Sequence, residues 1–467
     1  MKRFIILFIL LLCSNCYATD YQVATDGSGD YTTIAQVNAA TFVAGDNIKF
    51  NRGDTWAEKL TIDWSGTAGN LITFNAYGTG SQPKIDGIAA TDDNFWQLKN
   101  ITSTSTIATS ARALTMLGCN NVLIEDSVFD GDEVDSDALQ QVVQIQKSAT
   151  NLAHTITVRN CTVKDGGALV SLPQFGGGFG INLGSHDILV EDCTIYNHVE
   201  VCAQSFSSDD NFPVYNITWR GNTIYNEVGY SAIGIRGLNI GFRSSDCIAE
   251  ENYIYDCTQF LLGTDNGTEG TILRNNILIS NLVATTQGML LIISGDDGGT
   301  NINTSAVNNT LISLIGSDSG INISRNSGVA NTGHTIENNI VFSNQANFQL
   351  IKVSDTLATF TSDYNCLFNS GGGNIFDYDG DLADLSAWQT ATSQDANSID
   401  TDPKTIGGRY ALQVTSPCRN AGTPLADVTT DYRGLLRPQN GQEDIGAMQY
   451  GFAINIDGIK LNGLTIK

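Results

Sequence analysis

The chain has 467 residues, 41% hydrophobic and 16% charged, with 24 Lys plus Arg against 49 Asp plus Glu and a net charge of −25. That balance argues against nucleic acid as a partner, because neutralising phosphates needs clustered cations. An anionic glycan is repelled as well unless a local Arg or Lys patch overrides the mean field, which salt screens beyond about 8–10 Å.

The chain opens "MKRFIILFILLLCSNCYATD". Lys2 and Arg3 form a basic start, Phe4 to Leu12 an apolar core, and Cys16-Tyr17-Ala18 a small-x-Ala exit. The pattern predicts a signal peptide over 1–18, cut after Ala18, and hence a secreted, periplasmic or cell-surface protein. A lipoprotein is the weaker reading, since bulky Leu12 precedes Cys13. The apolar run is too short for a mature anchor, and no later stretch is long enough for a transmembrane helix. Next, "GSGDYTTIAQVNAATF" predicts a capping helix with Thr32 or Thr33 as N-cap and Ile34, Val37 and Ala40 on one face.

A repeat dominates the middle of the chain. "CTVKDGG" begins at Cys161, "CTIYNHV" at Cys193 and "NTIYNEV" at Asn222. The same anchor position recurs at Ser127, Asn252, Asn276, Asn309, Asn339 and Asn365, at intervals of 24 to 34 residues. Two residues after each anchor stand Phe129, Val163, Ile195, Ile224, Ile254, Leu278, Leu311, Val341 and Leu367, all apolar. This is a short alternating strand ending in a turn, and no helical period fits. A second strand follows in most coils, for example "VVQIQK", "GFGINL", "SAIGIR" and "MLLIIS". Strand, bend and strand at such a period predict a solenoid: an all-β, right-handed parallel β-helix. The anchors are expected to form one inward stack, with Asn amides bonding from coil to coil.

Eight cysteines follow Ala18: Cys119, Cys161, Cys193, Cys202, Cys247, Cys257, Cys366 and Cys418. No CxxC pair occurs, which argues against zinc. Small buried thiols are the preferred reading, with a Cys161–Cys193 disulfide as the alternative. The segment "DLSAWQTATSQDANSIDTDP" predicts a short helix and an extended stretch. It opens a closing region over about 383–450, so the β-helix with its caps spans 19–450. Residues 451–467 alternate apolar and polar and form a short appendage.

The opening "DGSGDYTTIAQVNAA…GDNIKFNRGDTW" and the closing "SPCRNAG…DYRGLLRP…DIGAMQY" resemble the ends of secreted bacterial right-handed parallel β-helix proteins, the pectin-lyase-like superfamily. That group includes polysaccharide lyases, glycoside hydrolases and uronate epimerases, so fold alone does not select a reaction.

Chemistry is sought between residues 161 and 297, where the loops are longest. His198 and Glu227 each lie five residues after an anchor and are expected to stack. Glu200, Asp209, Asp210, Arg236 and Arg243 are nearby in sequence. The expected site has His198, Glu200, Glu227 and Arg236 as catalytic residues, with Arg243, Tyr230, Asp209 and Asp210 binding substrate. Such a set suits β-elimination on a uronic acid, which needs a cation to neutralise the carboxylate and a base to take the C5 proton. Arg236 in "IGIRG" resembles the Arg of the alginate lyase and chondroitinase B type of polysaccharide lyase, and Glu200 resembles an acid of its Ca²⁺ site. The Lys of that pattern is missing, because Gln204 and Ser205 stand where it belongs. The expected function is therefore an exported lyase acting on an acidic, uronate-containing polysaccharide, with Ca²⁺ as the cofactor the resemblance implies. Two alternatives stay open. One is a glycoside hydrolase using paired acids such as Asp296 and Asp297, which turn chemistry explains as well. The other is a non-catalytic glycan-binding or adhesion β-helix, to which a ladder of Tyr196, Tyr225 and Tyr255 would contribute. Plain cross-strand packing also explains that ladder.

Overall fold

The computed structural model describes residues 18–105, 112–131, 141–166, 177–226, 235–281, 288–295, 300–316, 318–325, 331–354, 358–439, 441–451, 454–456 and 459–461. The leader, Glu227, Tyr230, Asp296 and Asp297 lie outside them, apart from Ala18 at the leader's end. Among the described residues no helix is long and apolar enough to cross a membrane.

The chain winds as a right-handed parallel β-helix. Each coil carries three strands rather than the two expected, and among the described residues they stack into sheets of 14, 12 and 13 strands, parallel except for Asp381–Leu382, which pairs antiparallel at the end of the third. In the coil around Cys193, strand His186–Glu191 belongs to the first sheet, Thr194–His198 to the second and Val201–Phe206 to the third. The strand missed in the sequence is the one before the anchor, whose runs such as "HDILVE" are as alternating as the others.

Between the first and second sheets the chain turns through a residue in the left-handed region, followed by the anchor. Asp126, Asn160, Asp192, Glu251, Asn275, Asn308 and Asn338 take φ of 53–59° there. Asn and Asp tolerate that region better than most residues, which accounts for their recurrence one place before the anchor. Gly221 fills the same place at φ 66°, where an added Cβ would meet Asp192 Oδ1 at 2.5 Å. Gly221→Ala is expected to cost about 1–2 kcal/mol, read as a lower melting temperature with unchanged far-ultraviolet circular dichroism.

The anchors form the expected continuous stack. The backbone N–H of Asn222 donates to Asn252 Oδ1 (3.0 Å), Asn252 to Asn276 (3.1 Å), Asn276 to Asn309 (3.0 Å), Asn309 to Asn339 (3.0 Å) and Asn339 to Asn365 (2.9 Å). Each of these five side-chain amides also donates to the next Oδ1, at 3.0–3.1 Å, and to a carbonyl of the first sheet. Cys193 N enters the ladder at Asn222 Oδ1 (3.0 Å), and Asn365 N leaves it at Ser398 Oγ (2.8 Å). The nine apolar residues two places on are all fully buried in the main core.

Two places before the anchor runs a charge ladder on the outer face of the first sheet. Lys99, Glu125, Arg159, Glu191, Arg220, Glu250 and Arg274 are aligned by register. Ion pairs join Glu125 to Lys99 (2.5 Å) and Arg159 (2.6 Å), Glu191 to Arg220 (2.6 Å), and Glu250 to Arg274 (2.7 Å). Four cations and three carboxylates thus alternate along one line, most of their charge paired. Tyr196, Tyr225 and Tyr255 form the predicted stack on the second sheet, with ring centroids 5.1 and 4.8 Å apart and planes 4–5° from parallel. Ring faces turned to one another are not presented to a sugar, which favours the packing reading of this ladder.

Near the N-terminus, helix α1 (Ile34–Asn38) starts at Thr33, whose side chain accepts from Gln36 N, and it buries Ile34 and Val37. Near the other end, helix α2 (Leu385–Thr392) is N-capped by Asp384. Its Trp388 lies on Phe376, with ring centroids 5.2 Å apart, and donates to Asp395 Oδ2 (2.8 Å). Beyond residue 400 the closing region doubles back along the second sheet. Asn275 Nδ2 donates to Thr430 O, Asn338 Nδ2 to Thr423 O and Ala447 N to Thr310 Oγ1. Arg437 and Glu443 form a fully buried ion pair within it.

Candidate functional site

The closing region thus lies against the second sheet, and the charge ladder occupies one line of the first. The described pair of charges expected in the site lies at the entry to the third sheet, Arg236 opening one of its strands and Glu200 in the bend just before another. In Val201–Phe206, Ala203 and Ser205 point into the core and Gln204 points out. Register places Val201, Arg236, Phe260 and Met289 in one row, and Gln204, Asn239, Gly263 and Ile292 in another. Arg236 opens the strand Arg236–Gly241 rather than ending the one before it, which corrects the expected strand "SAIGIR".

That register brings Glu200 and Arg236 together. Arg236 N donates to Glu200 O (2.8 Å), and the two side chains are close enough to interact through their charges. Glu200 Oε2 is buried and accepts no hydrogen bond. Burial raises the Glu200 pKa above the ordinary carboxylate value, and the Arg236 charge only partly opposes it. Arg236 Nε donates to Gln259 Oε1 (3.1 Å), which fixes one side of the guanidinium. Next to Arg236 on the same face, Phe260, Met289 and Ile292 make a small separate apolar cluster. Farther across the sheet, Asn239 Nδ2 donates to Asp265 Oδ2 (3.2 Å).

His198 is placed differently from expectation. Its ring is fully buried in the core, not on the charged face. Gly166 N donates to Nδ1 (3.1 Å), so Nε2 carries the proton and faces Val163 O (3.3 Å). A Cβ on Gly166 or Gly178 would lie 2.5–2.6 Å from ring atoms, so two glycines make the room. Asn226 brackets the backbone, accepting from His198 N and donating to His198 O. Burial pulls the imidazole pKa down to about 4.

The expected single cluster divides further. Arg243 lies beyond the far end of the Arg236–Gly241 strand, paired with Asp210 and donating to Ser207 O (3.3 Å). Asp209 is exposed and accepts from Asn211 N (2.9 Å), the contact that chiefly lowers its pKa. Lys147 lies over the Phe212 ring at 4.1 Å on the same turn. These residues border the third sheet on the side opposite Glu200 and Arg236. Gln259 and the Phe260 cluster were missed in the sequence, although "FLLGTD" carries the length and composition of a strand. Among the described residues no group of three or more His, Cys, Asp or Glu side chains converges.

No protein-family model and no curated protein sequence matches this chain. Solved structures do match. XylC, in a complex with xylose, superposes with a TM-score of 0.62 at 12% identity, over 92% of this chain and 98% of XylC. The Dettilon tailspike protein gives 0.49 at 15% identity, over 71% of this chain and 62% of the tailspike. The pectate lyase Pel9A gives 0.48 at 15% identity, over 93% and 96%. At such identity the likeness to XylC is one of fold.

Proposed function

We propose that this protein is an exported polysaccharide lyase that binds a uronate-containing chain along the outer face of the third sheet and cleaves it by β-elimination. The observation that carries the reading is the Glu200–Arg236 pair, a carboxyl group with an unbonded oxygen beside a held guanidinium. XylC supports a sugar ligand, since a protein of this fold forms a complex with xylose.

Arg236 supplies the local cation that an anionic sugar needs on a surface of net charge −25. It neutralises the substrate carboxylate, which makes the C5 proton more acidic and stabilises the charge that develops in the transition state. Glu200, once ionised, takes the C5 proton. The electron pair forms the C4–C5 double bond as the C4–O bond breaks, and the departing oxygen takes a proton from water. His198 takes no part in this proposal, since its ring is buried and holds its proton toward Val163 O.

The test is incubation of the purified chain with a panel of uronate polymers, with and without added Ca²⁺, following the ultraviolet absorbance of unsaturated products. The reading expects absorbance to grow with at least one polymer. New reducing ends without absorbance would replace it by the hydrolase reading. Saturable binding without either would leave a glycan-binding β-helix.

A further inference from the structure

Eight cysteines are described, and all are buried thiols. Six of them lie beside one another in pairs, close enough for each thiol to perturb its partner: Cys161 with Cys193, Cys202 with Cys257, and Cys366 with Cys418. The first pair links neighbouring coils and the second lies within the solenoid, where strand pairing already sets each residue's place. The third differs. Cys366 begins the last strand of the second sheet, whereas Cys418 belongs to the closing region.

We propose that Cys366 and Cys418 form a disulfide when the chain folds under oxidising conditions, fastening the closing region covalently to the solenoid. Both residues are fully buried in one small cluster with Ile340, Leu412 and Ile445. Both backbones are held independently of the sulfurs. Cys366 N donates to Asn339 O (2.8 Å), Cys418 N donates to Ser416 Oγ (3.2 Å), and Ile445 N donates to Cys418 O (2.9 Å). The Cys366 sulfur also faces Thr401 O at 3.3 Å, and the bond requires it to leave that carbonyl and close on Cys418. A disulfide stabilises most where it closes a long loop, and this one would enclose α2 and the first part of the closing region.

The chemistry is thiol–disulfide exchange with a disulfide donor, either an oxidoreductase or oxidised glutathione. One cysteine thiolate attacks the donor and gives a mixed disulfide. The second attacks that bond, and the donor leaves reduced, having taken two electrons and two protons. In the folded protein the neighbouring thiol and burial both push the Cys366 thiol up, so thiolate is scarce there. The exchange therefore belongs to the stage when the closing region docks.

The full chain is reduced and unfolded, refolded in a mixture of reduced and oxidised glutathione, alkylated, then denatured without reductant and mapped by mass spectrometry. The expected result is one cross-linked peptide joining residues 366 and 418. Alkylation of both cysteines, or a link from either to another cysteine, overturns the proposal. Melting supplies an arm that does not depend on glycan cleavage. Reductant is expected to lower the wild-type melting temperature by several degrees, and to leave Cys418→Ala and Cys366→Ala, both melting near reduced wild type, unmoved. A wild-type protein indifferent to reductant overturns it as well.

Discussion

Replacing Asn276 with leucine is expected to destabilise the protein by roughly 3–5 kcal/mol. Asn276 is fully buried, and its side chain carries four contacts. Its Oδ1 accepts from both the backbone and the amide of Asn252, while its Nδ2 donates to Ala249 O and Asn309 Oδ1. Leucine matches the volume approximately but restores none of them, so buried donors and acceptors above and below lose partners together. Such losses cost more than the net worth of the bonds, because desolvation is then uncompensated. Thermal melting and a urea transition check the effect. An unchanged midpoint would show that the ladder does not hold these coils together. The loss is expected to spread from the altered coil, since each repeat of a solenoid depends on its neighbours.

Arg236→Ala is expected to abolish binding or turnover of an acidic glycan while leaving the far-ultraviolet circular dichroism unchanged. Glu200→Gln is expected to lower turnover on the order of 10²–10⁴-fold with a smaller effect on binding. This split separates the group that holds the carboxylate from the group that moves the proton. If Arg236→Ala keeps full activity, the site lies elsewhere.

The same glutamate makes a linked prediction about stability. Its folded pKa is raised by burial, so the folded state favours the protonated carboxyl. The stability it contributes is present below the unfolded glutamate value and is lost as pH rises through the folded one. Glu200→Gln should therefore melt higher than wild type near about pH 8, with the gap closing toward about pH 4. Wild-type turnover should rise across the same titration, because the base acts when ionised. A gap that widens on acidification would contradict the assignment of Glu200 as a buried carboxyl.

The repeat is legible in the chain because each position answers a local demand. The left-handed turn asks for Asn, Asp or Gly, the anchor for a small group that bonds along the stack, and the place two beyond for an apolar side chain. The charge ladder was equally legible two places before the anchor, since Glu125, Arg159, Glu191, Arg220, Glu250 and Arg274 alternate in sign there. His198 shows where that reading stops. Strict alternation after Ile195 turns position 198 outward, but Asn197 takes φ 60° and swings the ring into the core, where Gly166 and Gly178 leave room. Local sequence thus determined the coil, its period and its inward faces, because backbone geometry and burial act within one turn of the solenoid. Tertiary structure alone decided that Arg236 lies beside Glu200 and that the closing region covers the second sheet. Both depend on how far each loop advances the chain before the next strand pairs, and that register is set by contacts between coils.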